Sequence, residues 1–185
     1  MFFFIFISFV VLQRMVELRI AKKNEKWMKN QGGVEYGQKH YLFLVLIHAC
    51  FFLSLFIEVI LEETKLNTYW LFIISLFLIT QVGRVWAIQS LGKYWNTKII
   101  VLPNADIIIK GPYRFIRHPN YLIVTLEFIF IPLMFNAFYT LISFFLLNQI
   151  ILMIRIPFEE QVLLNHTNYH VLQNNHPRFL PKIKK

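Results

Sequence analysis

The sequence predicts an all-α integral membrane protein with about five transmembrane helices. Of its 185 residues, 57% are hydrophobic and 20 are Phe, a composition that fits either a membrane protein or an unusually apolar soluble domain. Two long runs almost free of charge favour the membrane class, because a helix needs about 20 apolar residues to cross the hydrocarbon layer. A further apolar stretch and the placement of the basic residues support the same count.

The second and third predicted spans, 41–61 and 69–91, are the clearest. The second span has one acidic residue near its end, and the third has Arg84 as its only charge. Each is long enough to cross the membrane as a helix. The segment 2–20 is apolar through Leu12 and then amphipathic. It lacks the basic start and the small-residue cleavage site of a signal peptide, so we predict a retained first span.

The fourth and fifth spans are predicted to form a tight hairpin. Residues 121–154 form a stretch of 34 residues with Glu127 as its only charge. One helix of this length would be about 51 Å long, whereas two full spans and a loop would need more residues. Pro132 and Asn136 near the middle indicate a turn at about 135–138. The spans are therefore 121–135 and 138–156, followed by a tail at 157–185.

Nearly all basic residues fall on one predicted side of the membrane. With the N-terminus outside, the segments 21–40 and 92–120 and the tail face the cytoplasm, and of 19 Lys and Arg only Lys65 is external. Cytoplasmic loops carry such an excess. The pattern explains much of the +9 net charge and predicts a multi-pass protein of the cell membrane that does not bind nucleic acid. With Cys50 as the only cysteine and no Cys/His metal spacing, we expect no disulfide or metal site.

Two segments outside the spans have recognisable patterns. The connection 92–120, which we call the cap, has β-branched clusters broken by Pro103 and Pro112, so short extended pieces and turns are expected. In the tail, apolar residues recur at helical spacing. This predicts a separate surface helix that begins near Pro157 and has Glu159 and Glu160 in its first turn.

Glu127, Arg84 and His48 are polar residues within the predicted spans. Glu127 lies about 9 Å into the fourth span, where an unpaired carboxylate costs about 2.5–3.5 kcal/mol. It is either a structural partner of Arg84, at a comparable depth, or part of the lining of a ligand cavity. His48 is expected to form a hydrogen bond between helices.

The predicted hairpin brings two groups of polar residues together. His118 to Tyr121 lie at the start of the fourth span, and Arg155 to Glu160 lie at the end of the fifth. The charges in the second group are typical of interfacial anchors. Because the hairpin makes the two groups neighbours, they also predict one pocket that is open to the cytosol on one side and to lipid on the other.

These motifs resemble a known family. "GPYRFIRHPNY" at 111–121 and "RIPFEE" at 155–160 follow the pattern G-x-Y, four residues, H-P-x-Y and later R-x-x-x-E of the isoprenylcysteine carboxyl methyltransferase family, which is related to the phospholipid methyltransferases. The segments 83–99 and 168–181 also resemble that family. With "QRMVELRIAKKNEKWM" in the first helix, the chain is most similar to a small bacterial subgroup that O-methylates alkylpyrones made by type III polyketide synthases.

The resemblance implies a cytoplasmic cofactor-binding cap and roles for eight residues. Contacts with S-adenosylmethionine are implied for Tyr113, His118, Pro119, Asn120 and Tyr121, for backbone near Ile108, and for Glu159, which would bind the amino group. Arg155 would contact the acceptor. Two residues depart from the family pattern: Ile123, where Gly is common, and Pro157, which interrupts a usually continuous helix.

The function implied is methyl transfer from S-adenosylmethionine, without a metal, to a lipophilic small-molecule acceptor in membrane lipid. The acidic hydroxyl of an alkylpyrone is the favoured acceptor, and the alternatives are an isoprenylcysteine-like carboxyl group or a lipid amine. A small membrane carrier or channel is the alternative of another class, in which Glu127, Arg84 and His48 would line a pathway. The oligomeric state is left open by the sequence.

Overall fold

The computed structural model describes residues 1–179, so residues 180–185 of the predicted tail lie outside the described part of the chain. Six α-helices and two short strands follow in the order α1 Phe2–Asn30, β1 Val34–Tyr36, α2 Gln38–Leu61, α3 Trp70–Leu91, β2 Ile99–Val101, α4 Pro119–Met134, α5 Phe138–His166 and α6 His170–Asn175. Single 3-10 turns lie at Gly92–Tyr94 and Gly111–Arg114.

Within residues 1–179, three helical segments are long and apolar enough to cross a membrane, namely Gln38–Leu61, Trp70–Tyr94 and Phe138–His166. The apolar α4 has 16 residues and is shorter than these, and α1 becomes strongly charged in its second half. A mostly helical membrane protein is thus confirmed, whereas the count of five spans stays a prediction.

Aromatic side chains fill the core at the end of the helices remote from the cap. Phe51 of α2 packs against Phe128 of α4 and Phe144 of α5, with ring centroids 4.6 Å and 5.6 Å apart. Phe6 of α1 meets Phe77 of α3 at 5.1 Å. Aromatic pairs prefer such tilted and edge contacts, and together they join five helices in one apolar cluster.

The hairpin turn lies at 135–137, where Asn136 has a positive φ of 54°. Asn tolerates this left-handed conformation better than most residues. Its side chain also accepts a hydrogen bond from Asn67 over 2.6 Å and donates to the carbonyl of Lys65 over 3.0 Å. Beside the turn, the Glu58 carboxylate accepts hydrogen bonds from the backbone amides of Tyr139 and Thr140. A carboxylate there satisfies free amides at the positive end of α5.

The first helix is longer than predicted. Instead of ending near residue 20 before a polar loop at 21–40, α1 continues to Asn30. Ala21, Asn24 and Met28 are buried on one face of this extension, and the Asn24 amide donates to the carbonyls of Gly92 and Trp95. The extension is therefore stabilised by the cap. The strand β1, which follows it, pairs antiparallel with β2 of the cap.

The prediction of a separate helix beginning at Pro157 is wrong. The helix α5 runs without a break through Pro157 to His166, so Glu159 and Glu160 are not in a first turn. Proline inside a helix removes one backbone hydrogen bond and costs about 3 kcal/mol or more. The helix continues past Pro157 because the buried Val162 packs against β2, together with the partly buried Phe158 and Leu163.

Candidate functional site

A cavity of about 450 Å³ lies where the cap meets α4 and α5. It falls within the usual range of small-molecule sites, about 300–1,000 Å³. All eight residues singled out from the sequence line it: Ile108, Tyr113, His118, Pro119, Asn120, Tyr121, Arg155 and Glu159. The hairpin therefore brings the two motifs together, as the sequence predicted. Which molecule each residue contacts stays a prediction.

The glycine of the first motif is required by packing. Gly111 has a φ of 55°, and a Cβ at this position would lie 1.9 Å from the hydroxyl oxygen of Ser90 on α3. A larger residue would therefore be both strained and excluded. This close approach places Tyr113 in the cavity wall, where it packs with Ala87 of α3 and Ile123 of α4. The bulk of Ile123 is accommodated because α3 has Gly83 and Ala87 opposite it.

The start of α4 presents polar groups to the cavity. Pro119 occupies the first helical position after His118, a place that suits proline because the amide there needs no helical partner. The Asn120 amide donates to the Tyr113 hydroxyl over 3.1 Å. Burial raises the pKa of Tyr113, and the nearby Glu159 carboxylate raises it further, so this phenol stays protonated at neutral pH.

Arg155, Tyr121 and Glu159 form a connected group. Arg155 donates through Nε to the Tyr121 hydroxyl over 2.8 Å and through Nη2 to the carbonyl of Thr97 in the cap over 2.7 Å. The Tyr121 hydroxyl in turn donates to Oε2 of Glu159. Because α5 is continuous, Arg155 and Glu159 are four residues apart on one helical face. The proline inside the helix does not separate them.

One nitrogen of Arg155 has no partner. The side chain is 3% exposed overall, and within residues 1–179 its Nη1 is buried without a hydrogen bond. Buried guanidinium nitrogens are normally paired because an unmade bond is costly. In a cavity wall, this donor can bind an oxygen atom of a ligand.

His118 is held by residues that the sequence analysis did not single out as its partners. Its Nε2 lies 2.9 Å from Oε1 of Glu160, and the same carboxylate pairs with Arg117 at 2.8 Å and with Arg178 at 2.7 Å. The backbone amides of Arg117 and His118 donate to the carbonyls of Pro177 and Arg178. The segment 176–179 thus crosses the start of α4. No spacing rule in the sequence pointed to this contact, since Glu160 and Arg178 lie in two segments that nothing in the sequence paired.

A buried group of charges adjoins the cavity near the middle of the helices. Arg84 donates to Glu127 over 2.5 Å and to Glu17 of α1 over 3.1 Å, and Arg14 pairs with both carboxylates. The partnership of Glu127 with Arg84 is confirmed. Arg14, Glu17 and Arg84 line the cavity, and Glu127 does not.

His48 differs from its prediction. Its Nδ1 lies 2.8 Å from the carbonyl of Leu44 in its own helix, so this contact does not join two helices. The carbonyl one turn earlier is the nearest acceptor in an apolar environment. The ring packs beside Phe128 at 5.1 Å and lines the cavity.

One side of the cavity reaches the outer surface of the helices. Leu18 of α1 and Val45 and Ala49 of α2 line it, and all three are also exposed on the outside of the protein. Apolar side chains of α1 and α2 thus belong both to the cavity lining and to the exposed surface.

Comparison with known protein families identifies the family of this chain. The model of the isoprenylcysteine carboxyl methyltransferase family matches residues 71–165, which include both motifs. The chain belongs to this family. Family membership assigns it to the membrane methyltransferases, which use S-adenosylmethionine as their methyl donor.

The relatives have no assigned function. The chain is 41% identical over 161 residues to the uncharacterized protein YpbQ of Bacillus subtilis, which covers 87% of this chain and 96% of that protein. It is 26% identical over 163 residues to an uncharacterized protein of Haemophilus influenzae, covering 86% of this chain and 95% of that protein. No solved structure gave a significant match.

Proposed function

We propose that this family member is an S-adenosylmethionine-dependent O-methyltransferase that acts at the membrane on a lipophilic acceptor, favouring the acidic hydroxyl of an alkylpyrone. The observation that carries the proposal is the unpaired Nη1 of Arg155 in the wall of the cavity that both motifs line. In this proposal the active site faces the cytoplasm, where the cofactor is dissolved.

The polar atoms available around the cavity fit the cofactor. Glu159 accepts from Tyr121 through Oε2, and within the described residues its Oε1 has no hydrogen-bond partner, so it could accept from an ammonium group. The Tyr113 and Asn120 side chains add neutral polar atoms to the same wall. When bound, S-adenosylmethionine would supply an activated methyl group, and the protein has to align it with the acceptor and exclude water.

Arg155 favours an anionic acceptor oxygen. Its guanidinium is fixed by two hydrogen bonds, to Tyr121 and Thr97, and it cannot act as a base because it stays protonated. A fixed donor of this kind stabilises an oxyanion. An acidic enol or a carboxylate meets this requirement, whereas a lipid amine would present positive charge or a further donor to a cation.

The carrier or channel alternative has less support. The charges inside the helices are paired with one another, two Arg with two Glu, and are not strung along an open path. The polar residues of the two sequence motifs lie beside the cap.

The test is methyl transfer by the purified protein in detergent. Labelled S-adenosylmethionine is incubated with a long-chain 4-hydroxy-2-pyrone, an S-farnesyl cysteine derivative or a long-chain alkylamine, and product is extracted into organic solvent. We expect methylation of the pyrone, with turnover about 10²- to 10³-fold lower in Arg155→Lys at unchanged cofactor affinity. Methylation of the amine alone would contradict the proposal, and wild-type turnover in Arg155→Lys would make that residue an interfacial anchor.

A further inference from the structure

The inner end of the cavity contains an unused hydrogen-bond acceptor. Asn148 lines the cavity and is fully buried in the middle of α5. Within residues 1–179, its Oδ1 has no hydrogen-bond partner. A polar side chain in an apolar span is costly, and such residues usually face protein or a functional cavity.

The orientation of this amide is fixed by its neighbour. Thr125 of α4 donates its hydroxyl proton to the carbonyl of Tyr121 over 2.9 Å. The Thr125 oxygen can then only accept, and it lies 3.0 Å from Nδ2 of Asn148. The NH₂ group of Asn148 must therefore be the end that faces Thr125. The unpaired end is the carbonyl oxygen, which requires a donor.

His48 adds a second acceptor to the same region. Its Nδ1 faces the carbonyl of Leu44, which can only accept, so Nδ1 carries the proton. In the neutral ring, Nε2 then presents a lone pair, and no described residue donates to it. The ring packs against Phe128, which is three residues beyond Thr125 on α4. Asn148 and His48 both line the cavity, and the packing of α2 on α5, in which Phe51 meets Phe144, sets them at neighbouring levels one turn nearer the cap.

The register of α5 gives the distance from the proposed reaction site. Asn148, Leu152 and Arg155 follow the spacing i, i+4 and i+7, and all three are buried and line the cavity. Seven residues of α-helix correspond to about 10 Å along the axis. The apolar Leu152 lies between the two polar residues.

We propose that Asn148 Oδ1 and His48 Nε2 form a second polar subsite, about 10 Å along α5 from Arg155, which binds a hydroxyl or amide N–H on the chain of the acceptor. The subsite rests on the proposed function for the identity of the acceptor. It selects acceptors with two polar groups separated by an apolar segment, because a buried acceptor atom is satisfied only by a molecule that brings a donor to it.

The test uses long-chain 4-hydroxy-2-pyrones that differ only in the position of one added hydroxyl on the chain. Their dissociation constants are measured by calorimetry in detergent without cofactor, and their KM values by methyl transfer. At the matching position, we expect about 3- to 10-fold tighter binding than for the unsubstituted pyrone, the usual net effect of one hydrogen bond. Equal binding of all probes to the wild type would overturn the subsite.

Variants separate this role from helix packing. Asn148→Leu should lose the preference for the hydroxylated probe but still bind the plain pyrone. Thr125→Val removes the hydrogen bond that orients the Asn148 amide but leaves the amide oxygen in the cavity, so it should weaken the preference without abolishing it. A purely structural Asn148 would make both variants behave alike and would refute the proposal. Because binding is read without cofactor, absence of methyl transfer would count against the proposed function alone.

Discussion

Arg155 donates to the hydroxyl of Tyr121 over 2.8 Å, and this hydrogen bond joins the two sequence motifs of the cavity. The Tyr121 hydroxyl also donates its own proton to the Glu159 carboxylate. One phenol thereby fixes both the cation proposed to hold the acceptor and the carboxylate proposed to hold the cofactor. A change at Tyr121 should affect both halves of the site.

Tyr121→Phe should fold normally but lower kcat/KM by about 5- to 150-fold. The substitution leaves a buried Arg155 nitrogen and a Glu159 oxygen without their shared partner, a loss of about 1–3 kcal/mol. The measurement is transfer of labelled methyl groups to the hydroxypyrone. Tyr139→Phe is the matched control, because Tyr139 is 75% exposed on the same helix as Arg155. Equal activity of both variants would remove Tyr121 from the site.

The neighbouring acids Glu159 and Glu160 should give opposite results. Glu159→Ala should weaken binding of S-adenosylmethionine by about 10- to 150-fold, the value of a charge-assisted hydrogen bond, with little change in melting temperature. Glu160→Ala should instead lower the melting temperature, because Glu160 holds His118, Arg117 and Arg178. Calorimetry and thermal unfolding in detergent distinguish them. Unchanged cofactor affinity in folded Glu159→Ala would contradict its assignment.

Glu127→Ala should destabilise the protein strongly. It would leave Arg14 and Arg84 short of a partner inside the helices, and breaking a buried pair in this way costs about 3–5 kcal/mol. Lys29→Ala is the control, since its pairs with Glu25 and Glu35 lie at the surface, where such pairs contribute about 0–1 kcal/mol. The free energies of unfolding are compared in detergent. Similar values for the two variants would show that the buried group does not stabilise the fold.

The proposed topology predicts opposite locations for two reporters. A reporter fused after Lys185 should be cytoplasmic, and one inserted near Thr64, between α2 and α3, should be external. The physical reason is the excess of Lys and Arg on the cap side. Activity of paired reporters that function on only one side of the membrane gives the measurement. Finding both on the same side would overturn the five-span arrangement.

Local signals in the sequence predicted the helical hairpin and the meeting of the two motifs. Pro132 and Asn136 marked the turn because their backbone preferences act within a few residues. The extent of α1 could not be obtained in this way. Its charged extension is stabilised by Asn24 against the cap, a contact about 70 residues away in the chain. Local propensity also predicted a helix start at Pro157, and this was wrong. The packing of α5 against β2 outweighs the cost of a proline inside the helix.

The sequence predicted which motif residues share a cavity, but not which residues they contact through hydrogen bonds and ion pairs. The motif residues line one cavity, yet no sequence pattern joined Glu160 to Arg178 or Thr97 to Arg155. Asn148 was visible as a polar residue in an apolar run, but only its burial and its unpaired oxygen distinguish it from a packing residue. Such contacts depend on how each helix is rotated about its own axis. The 34-residue apolar stretch does not specify that rotation, because nearly all of its residues are apolar.

The contact between the segment 176–179 and the start of α4 also constrains how the protein is made. Residues 117 and 118 leave the ribosome about 60 residues before the carbonyls that accept from their amides. During synthesis, the hairpin can insert and pack while the backbone contacts that hold the start of α4 are still missing. These contacts therefore form only after the helices are in place, and a chain released before Arg178 would lack the carbonyl that accepts from the His118 amide and the guanidinium that pairs with Glu160.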